Sequence, residues 1–143
     1  MPDTTDPVNL TRFTTAQEPL YPQVLAELRS GQKTGHWMWF IFPQIQGLGH
    51  SEMSRHYAVT SVDEAKAYLA HPILGARLKE CTHLVLQIEG RSLKQIFGEV
   101  DALKFHSSMT LFAHATPAHS DFTEAITRYC GGSLDAPTLN QLD

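Results

Sequence analysis

The residues of this chain best suited to chemistry lie around a short aromatic run. His36 precedes six consecutive apolar residues, Trp37 to Phe42, which include both tryptophans, and Gln44 follows them closely. A segment that serves only a hydrophobic core has no need of a histidine and an amide at its ends. The pattern therefore predicts a core element whose ends open onto a polar pocket.

A second group of reactive side chains follows at Lys104. On a helix, Lys104, Ser107 and Thr110 are spaced by three residues and share one face. We interpret Lys104 and His36 as an anion-holding or acid–base pair, because the ordinary pKa of histidine suits proton transfer near neutrality. Glu18 is the reserve carboxylate. These three residues, His36, Lys104 and Glu18, are the candidate catalytic groups.

The candidate ligand-binding residues are amides, hydroxyls and aromatic rings. An indole could stack on a planar ligand, and a cation with hydroxyls and amides suits a nucleotide or an ADP-ribose-like molecule. The competing interpretation is that the tryptophans are core residues and that the hydroxyls face solvent. The full set comprises Gln17, Trp37, Trp39, Gln44, Ser51, Tyr57, Ser107 and Thr110.

Three functions fit these residues, and the sequence leaves all three open. The first is an enzyme that cleaves an N-glycosidic or phosphoester bond of a nucleotide or ADP-ribose-type substrate. The second is a non-catalytic sensor that binds a small anionic or nucleotide-like ligand. The third is a protein-interaction module, which would need the aromatic side chains on an exposed face.

Composition argues against several other functions. A net charge of -4 and eleven scattered Lys and Arg residues do not suit a nucleic-acid-binding protein. The longest apolar run is far shorter than the roughly 18 residues of a membrane-spanning helix. The first residues do not resemble a secretory signal, so we expect a cytoplasmic protein in which Cys81 and Cys130 are reduced.

Metal and cofactor motifs are also missing from the sequence. The eight histidines include no pair four residues apart on a helix, and the two cysteines are far apart in the chain. These spacings do not match the ligand pairs typical of zinc. Dinucleotide-binding and phosphate-binding glycine motifs do not occur. We therefore predict neither a metal site nor a cofactor.

The elements that must position these residues are predicted to be helices. Capping boxes mark helix starts at Ser61 and Ser92, and Ser120 is expected to cap a later helix. Periodicity alone does not separate a strand from a helical turn in the aromatic run, and a helix is favoured because the rest of the chain is helical. Longer helices are predicted over 72–88, 99–115 and 121–129, with two pieces between 10 and 31 broken at Pro19.

The predicted architecture is all-α. About six or seven helices with short loops form a single domain over residues 8–143, and residues 1–7 form a flexible tail. In the helix 99–115, apolar residues at helical spacing are expected to face the core. These residues are Val100, Leu103, Met109 and Phe112.

The aromatic run also resembles a known family. The segment from His36 to Gln44 resembles the signature of the DUF1810 family, small bacterial proteins of unassigned function. The resemblance covers roughly residues 6–140 and implies a mainly helical fold, without implying an activity. Other segments that resemble the family are Phe13–Gln17, Gly49–Ser51, Ser61–Ala65, Tyr68–Pro72, Leu74–Leu78, Ile96–Gly98 and Met109–Phe112.

Overall fold

The computed structural model describes residues 6, 8–116 and 119–142, and these residues form ten α-helices. The prediction of six or seven was too low, because it left several helices of only four or five residues out of the count, although the start of one of them at Ser92 was predicted. None of these ten helices has the length and apolar character needed to cross a membrane. In chain order they are α1 (Thr11–Gln17), α2 (Tyr21–Ser30), α3 (Met38–Ile41), α4 (Glu52–His56), α5 (Val62–Ala70), α6 (Leu74–Gln87), α7 (Leu93–Phe97), α8 (Glu99–His114), α9 (Asp121–Cys130) and α10 (Ala136–Gln141).

Hydrogen bonds at three helix starts agree with the predicted caps. The hydroxyls of Ser61, Ser92 and Ser120 each accept the backbone N–H of the third residue that follows. At Ser92 and Ser120 the reciprocal hydrogen bond is also present, so the capping box is complete. At Ser61 the Glu64 carboxylate instead accepts a 2.8 Å hydrogen bond from the Thr60 hydroxyl. This side chain is therefore used elsewhere, and the predicted box is only half formed.

The aromatic run lies at the centre of the core, and its predicted helical turn is confirmed as α3. Phe42 follows this turn and is fully buried. Its ring packs edge-on against Phe97 of α7 and Phe105 of α8, with centroid distances of 5.9 and 5.0 Å. Edge-to-face contacts of this kind stabilise a core beyond the burial of apolar area. The run thus joins α3 to the α7–α8 pair.

The apolar face predicted for α8 is wrong in its first two turns. Met109 and Phe112 are fully buried, but Val100 and Leu103 are each 66% exposed. Asp101 and Lys104 occupy the inward-turned positions of these turns, with side chains that are only about a fifth exposed. The start of α8 therefore presents an apolar surface to solvent.

Helices α5 and α6 meet at a short turn in which Gly75 is closely packed. The Nδ1 atom of His71 accepts hydrogen bonds from the N–H groups of Ile73 and Leu74, so α6 begins at Leu74, two residues later than predicted. A Cβ atom on Gly75 would lie 2.1 Å from the carbonyl oxygen of Leu69. Only a glycine fits this contact between the two segments.

Of the predicted tail, residues 1–7, only Asp6 lies within the described residues. Its carboxylate accepts hydrogen bonds from the Thr11 N–H at 2.9 Å and from the Thr11 hydroxyl at 2.7 Å. The bond from the hydroxyl is the main cause that lowers the pKa of Asp6. Asp6 thereby satisfies a free N–H group at the start of α1.

Candidate functional site

Glu27 of α2 holds in place the segment that leads into the aromatic run. Its carboxylate accepts hydrogen bonds from the N–H groups of Thr34 and Gly35, at 2.7 and 2.8 Å, and from Trp37 Nε1 at 3.0 Å. Gln23 donates a fourth bond at 2.7 Å. Burial raises the pKa of Glu27, but these donors outweigh it and lower the pKa to about 2. Trp37 is fully buried by this arrangement.

Two lysines share one carboxylate beside the tryptophans. Lys33 Nζ lies 2.7 Å from Asp101, and Lys104 Nζ lies 3.4 Å from the other oxygen of the same carboxylate. The Lys33 ammonium is 5.1 Å from the Trp37 ring centre, and the Lys104 ammonium is 4.7 Å from the Trp39 ring centre. Cation–π attraction holds each ammonium over its ring. The three charged groups together carry one positive charge.

Lys104 borders a surface cleft, here called the Lys104 cleft, with a volume of about 320 Å³. The cleft lies between α8, the segment from Gln44 to α4, and the start of α10. Its walls are partly apolar and partly polar, so it can contact both parts of an amphipathic molecule. The lining residues are Gln44, Leu48, Gly49, Ser54, Val100, Leu103, Lys104, Ser107, Asp135 and Pro137.

The polar face of α8 binds the C-terminal segment rather than solvent. Ser107 and Thr110 are both buried, which excludes the interpretation that these hydroxyls face water. Ser107 donates a 2.9 Å hydrogen bond to the Asp135 carboxylate, and the Asp135 N–H donates to Thr110 at 3.0 Å. The same carboxylate caps α10 by accepting bonds from the N–H and hydroxyl of Thr138. Asp135 therefore fastens α10 to α8.

Replacement of Asp135 by alanine should destabilise the protein by about 2 kcal/mol, because α10 loses its cap and the buried Thr138 hydroxyl loses its acceptor, while Ser107 retains only the Leu103 carbonyl. Asparagine at the same position should retain most of the stability, since its carbonyl oxygen still accepts hydrogen bonds. Urea denaturation followed by circular dichroism measures both effects. Asp63→Ala is the control, because Asp63 is an exposed acid in the first turn of α5. An equal loss in the control would contradict the assigned role of Asp135.

Three of the predicted site residues, Gln44, Lys104 and Ser107, line the Lys104 cleft together. Trp39 lies directly beneath the Lys104 ammonium. Its indole N–H is buried and has no hydrogen-bond partner among the described residues. Thr110 lies one turn beyond Ser107 on the same helix and contacts the Asp135 backbone. The structure thus gathers one half of the predicted site around α8.

The other two candidate catalytic groups lie elsewhere. His36 is exposed and is not among the residues that line the cleft. The carboxylate of Glu18 is largely exposed and forms a 2.8 Å ion pair with Arg77 of α6. The structure therefore does not place His36 or Glu18 beside Lys104 as partners in proton transfer.

Gln17, Ser51 and Tyr57 make contacts that organise the fold. Gln17 is buried, and its amide donates to the Phe40 carbonyl at 2.7 Å and to the Tyr68 hydroxyl at 3.1 Å. Ser51 caps α4 with its hydroxyl. The Tyr57 ring is half-buried and lies 5.3 Å, between centroids, from the Phe40 ring. These side chains support the aromatic run from the side of α1 and α4.

Several residues of the cleft were not found from the sequence. The periodicity predicts Val100 and Leu103 as core residues, and it indicates neither Asp135 in the lining nor Asp101, which lies behind the cleft and pairs with Lys104. A signal did exist for Asp135, because an aspartate two residues before Pro137 is a typical helix start. Asp101 could have been found from its spacing to Lys104, since residues three apart on a helix are neighbours.

Neither cysteine offers an activated thiol. Burial raises the pKa of Cys81 to about 12 and that of Cys130 to about 11. A thiol with such a pKa is almost entirely protonated near neutrality, which makes it a poor nucleophile. Within residues 6, 8–116 and 119–142, no group of three His, Cys, Asp or Glu side chains could hold a metal ion.

Comparison with known proteins identifies the family of the chain and a solved structure with the same fold. The chain belongs to the DUF1810 family, because the family model described as "Protein of unknown function (DUF1810)" matches residues 7–142. The crystal structure of the conserved hypothetical protein Rv1873 from Mycobacterium tuberculosis is similar to the chain, with 53% sequence identity and a TM-score of 0.94. That similarity covers 96% of this chain and 98% of the other. No curated protein matches the chain.

Proposed function

We propose that the protein is a non-catalytic binding protein for a small anionic ligand that carries a planar apolar group, as a nucleotide does. The Lys104 cleft is the proposed binding site. The observation that carries this proposal is that Lys104, Gln44 and the exposed side chain of Leu103 border one cleft. Each of the three supplies a different interaction to one amphipathic molecule.

The apolar wall supports a ligand with a flat, poorly hydrated part. Val100 and Leu103 lie three residues apart on α8, and both are 66% exposed. Adjacent exposed apolar side chains mark surfaces at which contact with another molecule removes them from water. Leu48 and Pro137 border the same cleft. A planar ring between these side chains would bury apolar area on both of its faces.

The polar wall supports an anionic group. The Lys104 ammonium is held by the Trp39 ring and by Asp101, which it shares with Lys33, so one positive charge is left over among these three groups. The cleft is also lined by the Asp135 carboxylate, which accepts hydrogen bonds from Ser107 and Thr138. The Gln44 amide can both donate and accept hydrogen bonds. A charge-assisted hydrogen bond to such an ammonium is stronger than one between neutral groups.

The positions of the acidic and basic side chains favour binding over catalysis. A hydrolytic reaction beside Lys104 would need a carboxylate or an imidazole free to transfer a proton. Asp135 lines the cleft, but its Oδ2 atom already accepts hydrogen bonds from Ser107 and Thr138. His36 and Glu18 lie outside the cleft lining. In the part of the chain that the structure describes, Asp135 is the one carboxylate or imidazole in the cleft lining, and it already holds α10, which favours binding over the enzyme alternative.

Single substitutions in the cleft should weaken ligand binding about tenfold each, because each removes one contact worth about 1.4 kcal/mol. The variants are Leu103→Ser and Lys104→Gln. A thermal-shift screen of nucleoside monophosphates and sugar phosphates identifies the probe, since a bound ligand raises the melting temperature. Isothermal titration calorimetry with that probe then gives the Kd of each variant.

Matched controls separate the cleft from general surface effects. Ile73→Ser removes another exposed apolar side chain, and Lys66→Gln removes another exposed lysine, both away from the cleft lining. Equal weakening by controls and cleft variants would contradict the proposal. So would a screen in which no compound stabilises the protein at millimolar concentration. Turnover of the bound probe that is lost in Lys104→Gln would show an enzyme instead.

A further inference from the structure

We propose that a polar cavity next to the Lys104 cleft is a phosphate site. This cavity, here called the Arg55 cavity, has a volume of about 290 Å³ and includes Gln46, His50 and Arg55 in its lining. It would take the phosphate group of a ligand whose planar part lies in the Lys104 cleft. The position of that planar part rests on the proposed function, whereas the phosphate site can be tested by itself.

The two cavities are adjacent because they share part of their walls. Gln44, Gly49 and Ser54 line both the Arg55 cavity and the Lys104 cleft. One molecule of the size of a nucleoside phosphate can therefore contact both without a change of fold. The shared wall lies in the loop between α3 and α4 and at α4 itself.

The segment between the two cavities is held firmly from behind. The Gln44 carbonyl accepts the N–H of Val59 at 2.9 Å, and the Gln46 N–H donates to the Val59 carbonyl at 2.8 Å. These bonds form a parallel bridge between Ile45 and Val59. These bonds fix the backbone from which the Gln44 and Gln46 side chains extend, so this part of the wall is formed before a ligand arrives, which lowers the entropic cost of binding.

The charge of the Arg55 cavity is suited to an oxyanion. Arg55 is exposed, and its guanidinium forms no ion pair or hydrogen bond with any described residue. By contrast, Arg12 is paired with Glu64 and Arg77 with Glu18. A guanidinium presents parallel N–H donors that match the oxygens of a phosphate. The imidazole of His50 lies in the same lining and adds a further nitrogen.

Glu64 is a carboxylate that contacts the lining of this cavity, and its charge is compensated. It accepts a hydrogen bond from Thr60, a lining residue, and forms a 3.1 Å ion pair with Arg12. Glu52 is an exposed residue one turn before Arg55 on α4, and no ion pair links the two. Among the described residues, the Arg55 guanidinium is therefore a charge without an ion-pair partner at this site.

The test uses Arg55→Gln with three probes: inorganic pyrophosphate, adenosine 5′-monophosphate and adenosine. Arg29→Gln is the matched control, because Arg29 is also exposed, lines a different cavity and forms no ion pair with a described residue. Binding constants come from NMR titration of the ¹⁵N-labelled protein, which also locates the perturbed amides. Circular dichroism establishes that both variants are folded.

We expect Arg55→Gln to weaken the binding of pyrophosphate and of adenosine monophosphate about tenfold or more, because a charge-assisted hydrogen bond is lost. Arg29→Gln should change the Kd of either phosphate probe by no more than about twofold. Adenosine should bind both variants alike. Three results would overturn the phosphate site. In the first, the wild-type protein does not bind pyrophosphate; in the second, Arg55→Gln binds it as tightly as the wild type does; in the third, Arg29→Gln weakens pyrophosphate binding as much as Arg55→Gln does.

The same experiment distinguishes this inference from the proposed function. If Arg55→Gln abolishes pyrophosphate binding while Leu103→Ser leaves adenosine monophosphate unaffected, the phosphate site stands and the proposed use of the Lys104 cleft fails. If Leu103→Ser weakens adenosine binding while Arg55→Gln leaves pyrophosphate binding unchanged, the proposed use of the Lys104 cleft stands and the phosphate site is overturned.

Discussion

Replacing Glu27 by glutamine should destabilise the protein by about 3 kcal/mol at neutral pH. Hydrogen bonds lower the pKa of this buried carboxyl to about 2, from an ordinary value of 4.5. A difference of that size between the folded and unfolded pKa corresponds to about 3 kcal/mol of folding free energy. Glutamine removes the charge, and its single oxygen cannot replace both carboxylate oxygens, so its NH₂ group would face either the Gln23 donor or the three N–H groups that now bond Oε1.

The stability difference between wild type and Glu27→Gln should shrink in acid. The folded pKa of Glu27 lies below its unfolded value, so the charged carboxylate stabilises the fold fully above about pH 4.5. This contribution falls as the pH drops and is largely lost near pH 2. Urea denaturation at pH 7, 5 and 3 measures the free energy of unfolding of both proteins and gives the difference at each pH.

Glu18→Gln is the matched control for this experiment. Glu18 also forms a charged contact, with Arg77, but its side chain is 72% exposed. An exposed ion pair typically contributes less than about 1 kcal/mol, so little change is expected at any pH. A Glu27→Gln difference that stays constant from pH 7 to pH 3 would show that the charge of Glu27 is not what holds the segment.

Alanine at Gly75 should destabilise the protein by about 3 kcal/mol, although alanine is the better helix former. Gly75 is the second residue of α6, and a Cβ atom there would lie 2.1 Å from the Leu69 carbonyl oxygen and 2.9 Å from its carbon. Both are backbone atoms, which cannot move aside as a flexible side chain can. Helices α5 and α6 would have to separate, and their packing would be lost.

A second glycine variant distinguishes steric from conformational cost. Gly132 has a φ of +79°, and no described atom lies within 4 Å of the position of its Cβ. Gly132→Ala should therefore cost only the strain of a left-handed residue, about 1 kcal/mol. Thermal and urea denaturation compare the two variants directly. A Gly75→Ala protein as stable as wild type would mean that the turn between α5 and α6 can relax.

Local signals in the sequence were sufficient for the all-α class but not for the number of helices. Cap residues such as Ser92 and Ser120 act through neighbouring backbone atoms, and their effect can be read from adjacent residues. Helices as short as α3 and α4 depend on distant packing partners. The exposure of Leu103 is also a tertiary result, because Asp101 takes the inward position through its contact with Lys33.

The candidate site was only partly predictable for a similar reason. Lys104 and Ser107 are neighbours on one helix, so their common location follows from spacing alone. His36 is next to Trp37 in sequence, but Glu27 draws the Trp37 indole into the core and His36 remains at the surface. Contacts of this kind, formed between residues far apart in the chain, leave no mark in a local pattern.

The fastening of α10 by Asp135 has a consequence for the thermodynamics of the Lys104 cleft. One wall of the cleft includes Asp135 and Pro137, and the polar contacts of the one residue Asp135 with Ser107 and Thr110 hold this short helix to α8. Short helices held by few contacts open locally at a lower free energy than the core. The apparent affinity of the cleft is then its intrinsic affinity multiplied by the fraction of molecules in which α10 is closed. Any ligand that contacts this wall would in turn protect α10 against opening.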